Sequence, residues 1–123
     1  MGYHVVDPAE LEPEPDRPSE MKYVSEAAGM DNIGLRTYRV EPGEEIPLSG
    51  LHYHDEQEEV FYVVEGTLSI ETPEDLYAVA AGQFFVAEPG SAHRAHNADD
   101  ASEDVHVVGM GAPPVSDGHA YGE

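Results

Sequence analysis

The feature that most constrains the fold is a series of short extended runs between residues 33 and 110, each closed by turn residues. The runs are rich in β-branched and aromatic side chains, and turns such as Glu41-Pro42-Gly43 and Glu88-Pro89-Gly90 separate them. Short strands at regular spacing, with no helical period between them, are typical of an antiparallel sandwich or barrel. The predicted strands cover residues 35–40, 51–54, 60–64, 67–72, 76–80, 84–87 and 105–110. They predict one all-β domain over residues 33–112.

The segment before this series has a different composition. Residues 8–18 are rich in proline and acidic side chains, and each proline removes a backbone donor from any helix or sheet. Residues 1–32 are therefore expected to form an irregular arm, either solvated or packed across a neighbouring barrel. Within the arm, residues 19–28 could form a short helix that begins at Ser19 and ends at Gly29.

The segment after the series is predicted to be a tail. Pro113-Pro114 ends the last predicted strand, and residues 113–123 follow without a clear periodic pattern. His119 in this tail and His4 in the arm stand alone among polar residues. Both are therefore predicted to be solvated rather than to bind a metal.

The charge balance is extreme. The chain has 26 acidic and 5 basic residues, for a net charge of −21, and Lys22 is its single lysine. Such a surface repels nucleic acids and anionic membranes, so neither is an expected partner. Acidic chains with almost no lysine resemble proteins of salt-accumulating halophiles, in which about 1 M salt shortens the Debye length to about 3 Å and screens self-repulsion. We therefore expect a halophilic protein, with an acidic mesophilic protein as the alternative.

The cysteine content and the first residues of the sequence indicate the cellular compartment. It contains no cysteine, which excludes disulfides, thiolate metal sites and a cysteine nucleophile. Its first residues lack the basic and apolar regions of a signal peptide, and no apolar run reaches the length of a membrane span. We expect a cytoplasmic protein.

The run Val60-Phe61-Tyr62-Val63-Val64 is apolar on both faces of its predicted strand. One face would line the barrel, and the other requires a cover because a large exposed apolar surface favours association. A second sheet, the arm or another subunit could supply that cover. We expect a homodimer.

Two histidines, His52 and His54, stand two positions apart shortly before this run. In an extended strand such positions point to the same side, so both imidazoles can converge on one point. His93 follows the turn at Pro89-Gly90 and offers a third imidazole, and a carboxylate a few residues after His54 can join them. This combination suits a divalent first-row transition metal, namely Fe, Mn, Ni, Cu or Zn.

The spacing of these residues resembles the two motifs of the cupin superfamily. The first motif is matched by His52-x-His54, Glu59 after four residues and Gly66 after six more; the second is matched by Gly82, then Gly90-Ser91-Ala92-His93 after seven residues, and Asn97 after three. The similarity covers residues 33–110 and, with the acidic composition, resembles small single-domain cupins of halophilic archaea. It implies a cupin-type antiparallel β-barrel, also described as a double-stranded β-helix or jelly roll. It further implies that His52, His54, Glu59 and His93 bind the metal.

The carboxylate ligand needs a separate argument, because Glu58 and Glu59 are adjacent and point to opposite faces of a strand. If Glu59 points inward, so does Phe61, whereas an inward Glu58 would take Tyr62 inward with it. Both faces are apolar, so hydrophobic alternation does not decide between them. The six-residue spacing to Gly66 in the resemblance favours Glu59.

Several other residues are candidates for the cavity around the metal. Tyr38, Tyr53 and Phe61 could line the cavity or its mouth. His106 in the last strand is expected to be packed or exposed, with entry into the cavity as a base as the alternative. Asn97 is predicted to stabilise a turn through hydrogen bonds.

Only four arginines are available to hold an anionic ligand, namely Arg17, Arg36, Arg39 and Arg94. Arg36 and Arg39 lie on opposite faces of one predicted strand, so at most one of them points inward. This scarcity weighs against sugar phosphates and multiply charged acids.

Three functions fit these features. The first is a metal-dependent enzyme that binds or transforms a small oxygen-bearing metabolite, and the resemblance allows a dioxygenase, a decarboxylase or an isomerase. The second is a non-catalytic sensor or binding protein for a small molecule. The third is a structural dimer in which the metal only staples the barrel together. A small molecule that completes the metal sphere would favour the first two, and a sphere closed by protein would favour the third.

Overall fold

The computed structural model describes residues 2–48 and 50–122 of the chain and shows antiparallel strands with little helix. The strands are β1 (Glu20–Tyr23), β2 (Gly34–Val40), β3 (His52–His54), β4 (Glu58–Glu65), β5 (Thr67–Glu71), β6 (Leu76–Ala80), β7 (Phe84–Ala87), β8 (Arg94–His96), β9 (Val105–Ala112) and β10 (Gly118–Ala120), and the helices are a 3-10 turn at Pro8–Glu10 and α1 (Val24–Ala28). The sheet orders are β1-β2-β9-β4-β7, β6-β5-β8 and β10-β3. The predicted all-β jelly-roll fold is confirmed.

The core joins the inner faces of the five-stranded and three-stranded sheets. Along β4 burial alternates, with Glu59, Phe61 and Val63 buried, because successive side chains of a strand point to opposite faces. Burial of a side chain such as Phe61 stabilises the fold by about 1.5–3 kcal/mol. The other buried core residues are Met21, Tyr38, Val40, Ile46, Leu68, Ile70, Val79, Ala95, Val105 and Val107.

Two glycines are required by close approaches in this barrel. Gly66, between β4 and β5, has a φ of +82°, and a Cβ there would lie 2.6 Å from the carbonyl oxygen of Asp104. Gly109 in β9 faces the core, where a Cβ would lie 2.8 Å from Cε2 of Tyr38. A larger residue at position 109 would therefore push Tyr38 out of its place.

Asn97 fixes the connection between β8 and β9. Its side chain is buried, and Nδ2 donates to the carbonyl oxygens of Val40 at 3.0 Å and Glu103 at 2.9 Å. These bonds satisfy two backbone acceptors and join both ends of the connection to one side chain. The predicted turn-stabilising role of Asn97 is confirmed.

The N-terminal arm departs from the prediction. The predicted helix over residues 19–28 is half strand, because β1 pairs antiparallel with β2 and only α1 is helical. Ser19 is not the N-cap, which is Tyr23, whereas the predicted end at Gly29 is correct, with a φ of +66°. Met21 explains the difference. It is 1% exposed in the core, and this tertiary burial outweighs the weak local helix signal.

The C-terminal segment is not a free tail. Its residues Gly118–Ala120 form β10, which pairs antiparallel with β3. The carboxylate of Asp117 accepts the backbone N–H groups of Glu56 at 2.7 Å and Gln57 at 3.2 Å. His119, predicted to be isolated, lies 2.7 Å from Oδ2 of Asp55. The cause is the Asp117 carboxylate, which fixes the segment across the turn that follows β3.

No helix within the described residues is long and apolar enough to cross a membrane.

Candidate metal centre

The histidines meet because two separate backbone segments pair at this point. His52 and His54 lie on β3, and His93 lies just before β8. The backbones of His52 and His93 exchange two hydrogen bonds, from His52 N to His93 O at 3.1 Å and from His93 N to His52 O at 2.8 Å. Their ring centroids are consequently 4.8 Å apart, and those of His52 and His54 are 5.1 Å apart.

Each of the three imidazoles is anchored through its Nδ1 atom. Nδ1 of His52 donates to the carbonyl oxygen of Gly50 at 2.8 Å, and Nδ1 of His93 donates to that of Ser91 at 2.9 Å. Nδ1 of His54 lies 3.0 Å from Oδ1 of Asp117. A hydrogen bond at one ring nitrogen sets the tautomer and leaves the other as a potential ligand atom, which here is Nε2 in all three rings.

Glu59 lies among these Nε2 atoms. Its Oε1 is 2.6 Å from Nε2 of His93 and 3.8 Å from Nε2 of His54, and its Oε2 is 3.5 Å from Nη2 of Arg36. Glu59 is only 5% exposed, whereas its neighbour Glu58 is exposed on the outer face of β4. Phe61 and Val63 therefore share the inner face with Glu59, as the spacing to Gly66 predicts.

Three of the four predicted ligands form a compact group. Their potential ligand atoms, in His52, Glu59 and His93, all lie within 4.8 Å of one another. His54 lies beside this group, and its buried Nε2 has no hydrogen-bond partner among the described residues. A buried polar atom without a partner is costly unless something binds it. The donor set therefore fits a divalent metal.

Burial and the neighbouring charges shift the pKa values in this group. Burial would lower the pKa of His93, but its hydrogen bond to Glu59 and the charge of Glu59 raise it above the usual value. Burial likewise would raise the pKa of Glu59, but His93 and then Arg36 hold it low. The pKa of His52 is lowered mainly by burial. Glu59 is therefore ionised and His52 neutral, as metal binding requires, whereas His93 must release its proton when a metal binds.

The group opens onto a cavity of about 420 Å³. Phe61, Ile46 and Ala95 supply apolar walls, and Tyr38 lies beside them. Burial raises the pKa of Tyr38 to about 12, so its phenol remains protonated at physiological pH. A cavity of this size, lined by both apolar and polar side chains, is suited to a small organic molecule.

The candidate cavity residues divide into two pairs. Tyr38 and Phe61 line the cavity. Tyr53 does not, because it points to the other face of β3, where its ring lies 5.3 Å from that of His119. His106 does not either: it is on the outer face of β9, with Nε2 3.6 Å from Glu65. The strand parity that brings Val105 and Val107 into the core turns His106 outward.

Three polar residues at the cavity have roles that the sequence motifs do not indicate. Asp117 anchors His54, and Arg17 and Arg36 line the cavity. The alternation of side chains along β2 predicts that Arg36 points inward, because it shares a face with the buried Tyr38 and Val40. Nothing in the sequence pattern places Arg17 or Asp117 there, because both lie outside the barrel strands that carry the motifs.

Comparison with known proteins identifies the family. Residues 36–109 match the family Cupin_2, described as "Cupin domain". The chain is also 32% identical to a protein named polyketide synthase CurC from Streptomyces cyaneus, across 97% of this chain and 77% of that one. Because the family match extends over more than half of its residues, the chain belongs to the cupin superfamily.

Solved structures share the fold at lower identity. A sugar phosphate isomerase of the cupin superfamily from Silicibacter pomeroyi is 19% identical, with a TM-score of 0.80 over 98% of this chain and 83% of that chain. The polyketide cyclase RemF from Streptomyces resistomycificus is 18% identical, with a TM-score of 0.74 over 94% of this chain and 84% of that one. At such identities the likeness establishes the barrel and not the reaction.

Proposed function

We propose that this cupin binds one divalent transition metal through His52, His54, Glu59 and His93 and holds a small oxygen-bearing metabolite in the adjoining cavity. The observation that carries the proposal is the shared Nδ1 anchoring of three imidazoles, which leaves all three Nε2 atoms directed to one buried carboxylate. Three neutral imidazoles and one carboxylate suit Fe, Mn, Ni, Cu or Zn. A metal held there would polarise or orient a ligand oxygen, or activate dioxygen.

The residues of the chain would prepare the ligand for that chemistry. Glu59 supplies the negative charge that offsets part of the metal charge. Phe61 and Tyr38 narrow the cavity and limit the water inside it, which strengthens electrostatic interactions with a bound ligand. Asp117 keeps the ring of His54 oriented.

We propose an enzymatic role in preference to a non-catalytic sensor. The 32% identical relative is named a polyketide synthase and one structural neighbour is named a polyketide cyclase. Polyketides are oxygen-rich carbon chains, so these names support a metabolite with carbonyl or hydroxyl oxygens. The second candidate is a non-catalytic binding cupin, which the same cavity and the same donor set would serve.

Metal analysis of the purified protein tests the proposal. We expect about one transition metal ion per chain in the wild-type protein and far less in the His52→Ala and His93→Ala variants. Oxygen uptake and product analysis with small diols, phenols and keto compounds then separate an enzyme from a sensor. A protein that binds such a compound but never converts it would be a sensor. A protein whose variants all keep their metal would refute the histidine site.

We also propose a homodimer formed by the outer faces of β4 and β7. Phe84, Val86 and Val64 are 61%, 57% and 54% exposed there, and the rings of Tyr62 and Phe84 lie 4.6 Å apart. Light scattering of a Val86→Asp variant tests this, with Leu76→Asp on the other sheet as the control. A wild-type monomer at high salt would refute it.

The composition supports a further proposal, that the chain functions in a cytoplasm of high salt. The net charge of −21 is strongly self-repulsive in dilute buffer and is screened in molar salt. The melting temperature as a function of salt tests this proposal.

A further inference from the structure

The cavity concentrates basic side chains in a protein that is otherwise acidic. Two of the 5 basic residues of the chain, Arg17 and Arg36, line it. Of the 26 acidic residues, Glu59 and Asp117 are the carboxylates among its described lining residues. The formal charges of these four side chains cancel, whereas the whole chain carries a net charge of −21.

Strand parity directs Arg36 into the cavity. Arg36 lies on the face of β2 that also carries Tyr38 and Val40, both buried, while Arg39 lies on the opposite face. The guanidinium carbon of Arg36 is 5.9 Å from the centroid of the Tyr38 ring, and its side chain is 16% exposed. Contact with an aromatic ring holds the guanidinium in place without using its N–H groups.

The surface arginines show how this protein pairs a guanidinium with its own carboxylates. Arg39 donates to Glu20 at 3.1 Å and to Asp104 at 3.2 Å. Arg94 donates to Glu71 at 2.8 Å. These are charge-assisted hydrogen bonds of ordinary length.

Arg36 lacks such bonds. Its Nη2 is 3.5 Å from Oε2 of Glu59, which is close enough for attraction but is not a hydrogen bond, and its Nε and Nη2 have no hydrogen-bond partner within residues 2–48 and 50–122. Glu59 instead directs Oε1 to His93 at 2.6 Å. If Arg36 served only to pair with Glu59, a direct bidentate contact would be expected.

Arg17 reaches the same cavity from the N-terminal arm. The residue before it, Asp16, has a φ of +59°, a left-handed conformation that non-glycine residues rarely adopt. Nη2 of Arg17 donates to the carbonyl oxygen of Ile46 at 3.2 Å, and its buried Nε has no partner in the described part of the chain. A strained turn thus accompanies a second guanidinium that is only partly satisfied.

We propose that Arg36, assisted by Arg17, binds the anionic end of the ligand, and that the ligand class is a small organic acid with one carboxylate. A carboxylate matches the planar donor fork of a guanidinium and would satisfy N–H groups that the protein leaves unpaired. The inference deepens the proposed function, on which it rests for the choice of this cavity as the ligand site. The acid would place its carboxylate toward the arginines and its remaining oxygens toward the histidines.

Matched acids and amides test the charge requirement. Wild-type protein loaded with metal is titrated calorimetrically, at constant ionic strength, with acetate and acetamide and with benzoate and benzamide. Members of each pair have nearly the same shape and differ in charge. We expect at least one acid to bind about tenfold or more tightly than its amide, as a charged hydrogen-bond partner provides. Equal affinities within both pairs, or no binding of either acid, would overturn the inference.

Substitutions then test the residues. Arg36→Gln is expected to weaken binding of the preferred acid about tenfold or more. Arg39→Gln removes the same charge from the other face of the same strand and is expected to leave affinity within about twofold, because exposed charges are screened. Equal losses in the two variants, or no loss in a folded Arg36→Gln protein, contradict the inference. If Arg36→Gln does not fold, Arg17→Gln decides by the same comparison with Arg39→Gln.

The metal content keeps this inference separate from the proposed function. The His93→Ala variant is expected to lose metal yet retain the preference for acid over amide, because the arginines remain. Wild-type protein that prefers acids but never holds a metal would refute the proposed metal site alone. Protein that holds its metal but shows no acid preference would refute the arginine site alone.

Discussion

Two groups of cavity residues differ in where they lie in the chain. The histidine wall, formed by His52, His54, Glu59 and His93, lies within residues 36–109, which match the cupin family. The flanking residues Arg17 and Asp117 lie outside that range, one before the barrel and one after it. The part of the chain that matches the family supplies the four predicted metal ligands, whereas segments outside it contribute further residues to the cavity.

Loss of a histidine should produce the largest effect on the histidine wall. We expect His93→Ala to lose most of the bound metal, because it removes one Nε2 donor and the hydrogen bond to Glu59. His106→Ala, on the outer face, is the control and should keep its metal. Metal content by mass spectrometry measures both. Equal metal in the two variants would show that His93 is not a metal ligand.

Loss of the flanking carboxylate should produce a smaller effect on the same metal. Asp117→Ala removes the partner of Nδ1 of His54 and of two backbone N–H groups. Partners of metal ligands are typically worth about 10- to 100-fold in affinity. Asp55→Ala is the matched control, since Asp55 contacts His119 on the exposed side of the same segment. Competition with a chelator gives the metal affinities. Unchanged metal affinity in Asp117→Ala would show that Asp117 does not support metal binding at the histidine wall.

Salt should affect the stability of the protein and the metal affinity of the cavity to different extents. Raising KCl from low concentration to about 2 M should increase the melting temperature strongly, because screening relieves the repulsion of a net charge of −21. The metal affinity of the buried group should change much less, since buried pairs are screened weakly. Thermal denaturation and chelator competition across the same salt series check both. A melting temperature that is flat over this range would contradict the halophilic interpretation.

The smallest expected effect is the pH dependence of the metal-free protein. Glu59, whose pKa is lowered from 4.5, and His93, whose pKa is raised from 6.5, form a buried pair. The pair stabilises the fold fully between these two usual values. That stabilisation is lost as pH rises through the raised pKa of His93 or falls through the lowered pKa of Glu59.

Urea denaturation of metal-free wild type and His93→Gln at several pH values measures this contribution. The difference in unfolding free energy should be largest between about pH 4.5 and 6.5 and should decline on both sides. A difference that is constant across pH would show that the pair is not ionic.

The sequence predicts the barrel well because its strands carry strong local signals. Residues 76–80 and 84–87 match β6 and β7 at both ends, and the inward face of β4 follows from the spacing between Glu59 and Gly66. The strands that the sequence does not predict have weak signals: β1 has two charged residues among its four, and β8 and β10 have three residues each. Their existence depends on tertiary pairing, which outweighs local propensity.

The sequence likewise predicts one part of the candidate site and not the other. The histidine wall follows from short spacings along two motifs. Arg17 and Asp117 do not, because both lie outside the two motifs and Asp117 acts across 63 positions on His54. The outward position of His106 would have followed from parity with Val105 and Val107.

The pairing of β3 with β10 has a consequence for biosynthesis. Asp117 is translated 63 positions after His54. At a synthesis rate of about 5–20 residues per second, this separation corresponds to about 3–12 seconds. Once His93 has been added, 24 positions before Asp117, the nascent chain contains every residue of the histidine wall, but His54 still lacks the carboxylate that orients its ring. The order of translation therefore makes the donor set available to the cellular metal pool before its orientation is complete.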